Sequence, residues 1–119
     1  MDAREMAKIA IAAMEEKKAE DIRIIDIEEV SSIADFFIIA NGNNPSQVHA
    51  IADFVEEKLG RAGVSPKQVE GYRNANWVLM DYGDVIIHIF DRENRLFYDL
   101  ERIWKDGKRI EKEALSRNL

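Results

Sequence analysis

Two carboxylates and an imidazole interrupt the most apolar stretch of the chain, "WVLMDYGDVIIHIF" at residues 77–90. Asp81, Asp84 and His88 are residue types that hold metal ions, move protons or meet a cationic partner. Each chemistry sets its own spacing. A metal centre needs several ligands within one coordination sphere, but His49 and His88 are the only histidines, there is no cysteine, and no H-x-x-x-H or H-E-x-x-H pattern occurs. Metal-assisted nucleotidyl transfer needs carboxylates on adjacent strands that hold two ions about 4 Å apart. Asp81 and Asp84 instead straddle "DYGD", a four-residue turn with Gly83 third, and a tight turn splays them outward. Acyl transfer lacks a nucleophile: Ser31, Ser32, Ser46, Ser65 and Ser116 stand in no G-x-S-x-G elbow. The residues therefore imply no catalytic group, no metal and no cofactor.

One loop remains as a candidate anion site. "ANGNNPSQV" sets glycine and asparagines between a strand and a helix N-terminus, where free amides and the helix dipole favour a phosphate. It has neither a Walker lysine nor the G-x-G-x-x-G spacing, so a well-capped polar connection is the simpler explanation. A divergent nucleotidyltransferase-like enzyme that binds a nucleotide at this loop is the alternative reading of the chain.

The elements that must position these residues follow from periodicity. Asp2 caps, and Glu5 follows three residues later, so residues 3–18 read as an amphipathic helix with Met6, Ala10, Ala13 and Met14 on one face. "IRIIDIE" (22–28) and "DFFIIAN" (35–41) read as strands, the second apolar on both faces and therefore central. Asn44 caps a helix over residues 45–59 with Val48, Ile51, Ala52, Val55 and Leu59 as its buried stripe, ended by Gly60 and Gly63. "KQVEG" (67–71) is a short strand, and "WVLM" and "VIIHIF" form a hairpin around the turn. Asp81 and Asp84 thus sit at a tip where aspartate is favoured without any chemistry. His88 lies inside a strand, on one face with Asp84, Ile86 and Phe90, and is either a core histidine bonded to a neighbour or a semi-exposed contact. His49 falls on the helix surface. Residues 96–106 turn helical, with Ile103 and Trp104 inward, and residues 108–119 read as a charged helix or tail. The expected fold is a single α/β (α+β) domain, a mixed sheet of about five strands with helices packed on it.

Composition narrows the function. With 119 residues and 46% hydrophobic content, one packed domain is affordable. The absence of cysteine fits a reducing compartment, and no signal-peptide core or transmembrane run occurs, so the expectation is a cytoplasmic protein without membrane attachment. The net charge of −6 argues against direct nucleic-acid binding, which draws most of its affinity from phosphate contacts. Residues 1–98 carry 18 acids against 11 bases. Between residues 81 and 101 stand six acids (Asp81, Asp84, Asp91, Glu93, Asp99, Glu101) and two bases, beside Tyr82 and Tyr98 and close to Trp77 and Trp104. Acids mixed with aromatic anchors suit a basic protein partner.

Four segments, "DIRIIDIEEVSSIADFFIIANGN", "SQVHAIADFVEEKL", "VEGYRNANWVLMDYGDVIIHIF" and "RLFYDLERIWKDG", together resemble the ribosome silencing factor family, the iojap-like or RsfS proteins. The likeness spans roughly residues 5–107 and rests on Glu70-Gly71, Trp77, the run from Leu79 to Asp84, His88, Phe90, the run from Tyr98 to Glu101, and Trp104, in fixed order. The resemblance implies a nucleotidyltransferase-like core that has lost its catalytic carboxylates, a domain over residues 1–107, and a protein that is not an enzyme. It implies binding to the large ribosomal subunit through ribosomal protein L-fourteen, a steric block to small-subunit joining, and repression of translation when nutrients are short. Homodimers occur in the family, so a homodimer is a further expectation. Where relatives often carry a basic residue before the Gln-Val of the second helix, this chain has Ser46, which puts any RNA contact there in doubt. Trp77, Asp81, Tyr82, Asp84, His88, Tyr98, Asp99 and Glu101 are the expected partner-binding residues.

Overall fold

A computed structural model describes residues 1–29, 31–92 and 108–116. Helix α1 (Ala3–Glu16) starts where the Asp2 carboxylate accepts from the Glu5 amide at 2.8 Å. A helix of this length is marginal in water, so its stability comes from the face it buries: Ala3, Met6, Ala7, Ala10, Ile11, Ala13 and Met14. Strands β1 (Glu20–Asp26) and β2 (Phe36–Gly42) follow, then helix α2 (Pro45–Arg61). Strand β3 (Gln68–Glu70), the hairpin of β4 (Trp77–Asp81) and β5 (Val85–Asp91), strand β6 (Lys108–Ile110) and a short 3-10 helix (Lys112–Ser116) complete the described chain.

The strands form one mixed sheet in the order β3-β4-β5-β2-β1-β6. The parallel pair β2 and β5 lies in the middle, with Phe36 opposite Val85 through Gly42 opposite Asp91, and every other pairing is antiparallel. Every residue of β2 is buried, as are the first six of β5, as a parallel pair covered on both faces requires. Alternation then sorts the side chains. Phe36, Ile38, Ala40, Val78, Met80, Val85, Ile87 and Ile89 join the core beneath α1 and α2, and Ile25, Ile27, Ala34, Phe37, Ile39, Ile86 and Phe90 form a second cluster on the opposite face. Each of the valine, isoleucine, methionine and phenylalanine side chains among them contributes roughly 1.5–3 kcal/mol on burial.

The mixed sheet and the two described helices match the sequence-based expectation, with two differences. The sheet has a sixth strand, β6, where a charged helix or tail was expected. "KRI" has no apolar run, and it becomes a strand because the free edge of β1 pairs with it, Ile24 facing Ile110 and Asp26 facing Lys108. The 3-10 helix that follows rests on α1 through the buried Leu115, while the Lys112–Glu15 ion pair at 2.8 Å is half-exposed on both sides and adds little. The second difference is at the end of α2. Gly60 continues the helix instead of ending it, and Gly63, at φ +89°, makes the stop. Its amide bonds to Gly60 O and the Val64 amide to Leu59 O, the paired return bonds of a left-handed C-terminal cap.

Gly71 has a sharper requirement. Its φ is +76°, and a Cβ there would lie 2.1 Å from the Trp77 carbonyl oxygen. Gly71→Ala is expected to destabilise the domain by at least about 2 kcal/mol in urea unfolding, whereas Gly60→Ala, with nothing near its Cβ and a helical backbone, should stabilise it by roughly 0.5–1 kcal/mol.

Candidate functional site

The hairpin builds the site. Its turn is closed by the Tyr82 amide donating to Val85 O at 2.9 Å, and the Asp81 carboxylate accepts from the Gly83 amide at 2.8 Å, with Gly83 at φ +87°. The Asp84 carbonyl accepts from the amides of Asp35 (2.7 Å) and Phe36 (3.1 Å), so the turn is stitched to the start of β2. Trp77, Leu79 and Asp81 alternate onto one face of β4 and are each part-exposed, while Val78 and Met80 go inward. Asp84 is exposed. Trp77, Asp81 and Asp84 are therefore where the sequence places them, at or near the surface.

Two expected contact residues are not at the surface. Tyr82 is 5% exposed: alternation from Asp81 turns its ring into the core beneath the helices. Burial, with a smaller contribution from Glu56, pushes its phenol up to about 12. His88 is 3% exposed, with its ring packed against Phe37, Trp77 and Phe90 on the same sheet face. Burial lowers its imidazole to about 4, so it is neutral at pH 7. Its Nδ1 accepts from the Trp77 indole N–H at 3.0 Å, which places the ring proton on Nε2. The core-histidine alternative for His88 is the one that the structure supports. Tyr98, Asp99 and Glu101 lie outside the described residues, as does Trp104.

Sequence reasoning missed Leu79, which sits between Trp77 and Asp81 on the same strand face. Period-two alternation counted from Trp77 was the available signal. It also missed an acidic cluster. The carboxyl of Asp35 is raised by partial burial and then by Asp84 and Asp26, and that of Glu28 by burial and then by Asp26 and Asp35. Strand register gathers these acids from residues 26–35 and 84 at one end of the sheet, where Asp26 faces Phe36 and Phe36 faces Val85. No local pattern announces that meeting.

The remaining candidates resolve differently. His49 is half-buried on α2, stacked on the Tyr72 ring with centroids 4.4 Å apart, and Tyr72 donates to Asp53 at 2.8 Å. Among the described residues no group of three or more His, Asp or Glu side chains could hold a metal ion. In the Gly/Asn loop the Gln47 amide donates to Asn44 Oδ1 (2.9 Å), and the Asn43 amide to Gln47 Oε1 (2.6 Å). The loop's own side chains thus consume amides that a phosphate would need. The adjoining cavity of about 290 Å³ is lined by Asp91, a repelling carboxylate, and by Arg92, which is ion-paired with Glu20 at 2.6 Å. Ser46 is exposed.

Comparison with known proteins decides the family. The family model described as "Ribosomal silencing factor during starvation" matches residues 1–118. The chain belongs to the ribosomal silencing factor family. It is 42% identical over 107 residues to the ribosomal silencing factor RsfS of Bacillus subtilis, covering 90% of this chain and 91% of that one. It is 39% identical over 115 residues to the RsfS of Halalkalibacterium halodurans, covering 97% and 98%. A crystal structure of a Chromobacterium violaceum protein superposes with a TM-score of 0.85 at 37% identity, over 93% of this chain and 92% of that one. Within this family frame the half-exposed row Trp77, Leu79 and Asp81, with Asp84 at the turn, is the candidate site.

His88 gives this site a pH signature. An unfolded histidine titrates near 6.5 and His88 near 4, so as pH falls through that window the unfolded chain takes up a proton that the native state refuses. The contribution is full above the window and falls by about 3 kcal/mol across it. Glu28 and Asp35, with raised carboxyls, work in the opposite direction at lower pH. Urea unfolding at pH 7 and pH 4.5 should show His88→Phe losing less stability on acidification than the wild type. Equal losses would mean that His88 is not held neutral.

Proposed function

We propose that this chain silences ribosomes by docking on the large ribosomal subunit through ribosomal protein L-fourteen, where its bulk obstructs small-subunit joining and so lowers translation when nutrients are limiting. The observation that carries the reading is the match along residues 1–118 to a family whose close relatives are named ribosomal silencing factors. The surface is consistent with it. Trp77 and Leu79 supply part-buried apolar area next to Asp81 and Asp84, and the acids of residues 26–35 extend the same sign of charge. A negative field with an aromatic anchor favours a lysine- and arginine-rich partner, where charge sets encounter rate and register and the apolar groups set lifetime. A stable dock of this kind buries about 1,200–2,000 Å² in total. No reaction is required: the mechanism is occupancy of a patch that the small subunit needs. The reading also carries a cytoplasmic location, where the subunits to be kept apart meet.

Sedimentation of purified bacterial subunits tests it. In excess, the protein is expected to travel with the large subunit and to shrink the joined-ribosome peak. An unchanged peak, with the protein left at the top of the gradient, would refute the reading. Asp84→Lys is the informative variant, because the Asp84 side chain is exposed and only its backbone holds the turn. It should weaken large-subunit binding roughly tenfold, chiefly through the association rate and most visibly at low salt, while removing like-charge repulsion from Asp35. Asp81→Lys is less clean, since it also removes the cap on Gly83.

A further inference from the structure

We propose that His88 is a positioning residue for docking: from inside the sheet it fixes the Trp77 indole in the pose that the ribosomal partner meets, and it occupies the indole N–H so that the partner contact at this point is apolar or cationic. The inference rests on the docking reading above and adds to it the chemistry of one contact. Register makes Leu79 the direct neighbour of His88 and Phe90 the direct neighbour of Trp77, so His88 and Trp77 are diagonal partners on one face of the hairpin. The indole stacks on Phe90 with centroids 5.3 Å apart at 27°, and its N–H donates to His88 Nδ1 at 3.0 Å. A stack and a hydrogen bond together select one rotamer of a side chain that a strand start would otherwise leave several. The imidazole is itself held, with its ring edge-on to Phe37 at 5.0 Å and parallel to Phe90 at 6.4 Å.

Stability alone does not account for this histidine. His88 is buried among apolar residues, and among the described residues its Nε2 meets no acceptor. A phenylalanine would fill the same place without a buried polar atom. What phenylalanine lacks is the acceptor at Nδ1. With that acceptor in use, the indole N–H is not what a partner meets, and what the part-exposed side chain presents at the surface is ring carbon. A ring face recognises aliphatic side chains and, best of all, the guanidinium or ammonium groups that a basic protein presents. Pre-setting the rotamer removes an ordering cost from association.

The test is a double-mutant cycle read by both affinity and thermal midpoint. Large-subunit affinity is measured for the wild type, His88→Phe, Trp77→Ala and the double variant, with Trp77→Phe breaking the same bond from the other side. The expected result is that His88→Phe binds about tenfold more weakly with an unchanged or raised midpoint, and that Trp77→Phe does the same. The double variant should bind no more weakly than Trp77→Ala alone. If Trp77→Ala loses binding while His88→Phe and Trp77→Phe bind like the wild type, the docking reading stands and the positioning role is refuted. If the loss from His88→Phe adds in full to that from Trp77→Ala, His88 acts by another route and the proposal also fails. If the wild type does not bind the large subunit, the docking reading itself is refuted, and if Trp77→Ala binds normally, the docking surface lies elsewhere; in either case the positioning role falls. Should His88→Phe not fold, Trp77→Phe, changed at a part-exposed position, carries the decision.

Discussion

The burial of both faces of one parallel strand pair, β2 and β5, is the constraint from which the rest of the structure follows. All seven residues of β2 and six of the seven in β5 are withdrawn from water. Parallel strands cannot be joined by a hairpin, so the chain must leave β2, cross over and return. Helix α2 makes the crossing and covers one face, with Val48, Ile51, Ala52, Val55 and Leu59 turned toward the sheet. The return then runs through β3 and β4, which lays β4 antiparallel along the free side of β5. That placement sets Trp77 against Phe90 and within reach of His88. The geometry of the candidate surface is thus a consequence of closing the central pair.

The same constraint explains the electrostatics. The turn between β4 and β5 must end level with the start of β2, and the Asp84 carbonyl secures this by accepting from both Asp35 and Phe36. The bond brings the Asp84 and Asp35 carboxylates close, and the antiparallel register of β1 adds Asp26 and Glu28. Burial is the larger reason that the carboxyls of Asp35 and Glu28 are raised, and the like charges gathered at this sheet end raise them further and oppose folding. A polar or oppositely charged set would fold more easily there. The cluster makes physical sense beside an aromatic and aliphatic edge if a cationic partner relieves its repulsion on arrival, so the unfavourable term in the free protein becomes a favourable one in the complex.

Much of the fold was legible in the residues, because its strongest signals are local. Asp2 and Asn44 are caps, and each accepts from the amide three residues on. The two-sided apolar run of β2 announced a central strand, and "DYGD" announced a tip. The failures share a cause. Strand β6 exists because β1 has an edge to satisfy, and nothing in "KRI" says so. Tyr82 stands in a turn among acids, which suggests a contact, yet a single step of alternation carries it into the core. The gathering of Asp26, Glu28, Asp35 and Asp84 depends on the register of three strands, which no window of sequence contains. Family likeness, in contrast, was legible from the order of the motifs and was matched along nearly the whole chain.

His88 ties these levels together. A strand interior selects apolar side chains, and every other described residue of β5 that faces the second cluster obeys: Ile86 and Phe90 are both buried there. The exception is a neutral imidazole with one nitrogen engaged by Trp77 and the other without a partner among the described residues. Local rules broken in the free protein mark the places where a sequence answers to something besides its own fold. In the middle of a sheet that something cannot be direct contact, because the residue has no surface to offer. It can only be exerted through a neighbour that does reach the surface, and among the described residues the neighbour bonded to His88 is Trp77. The buried histidine and the half-exposed tryptophan therefore form a single unit, with the constraint on one strand and its expression on the next.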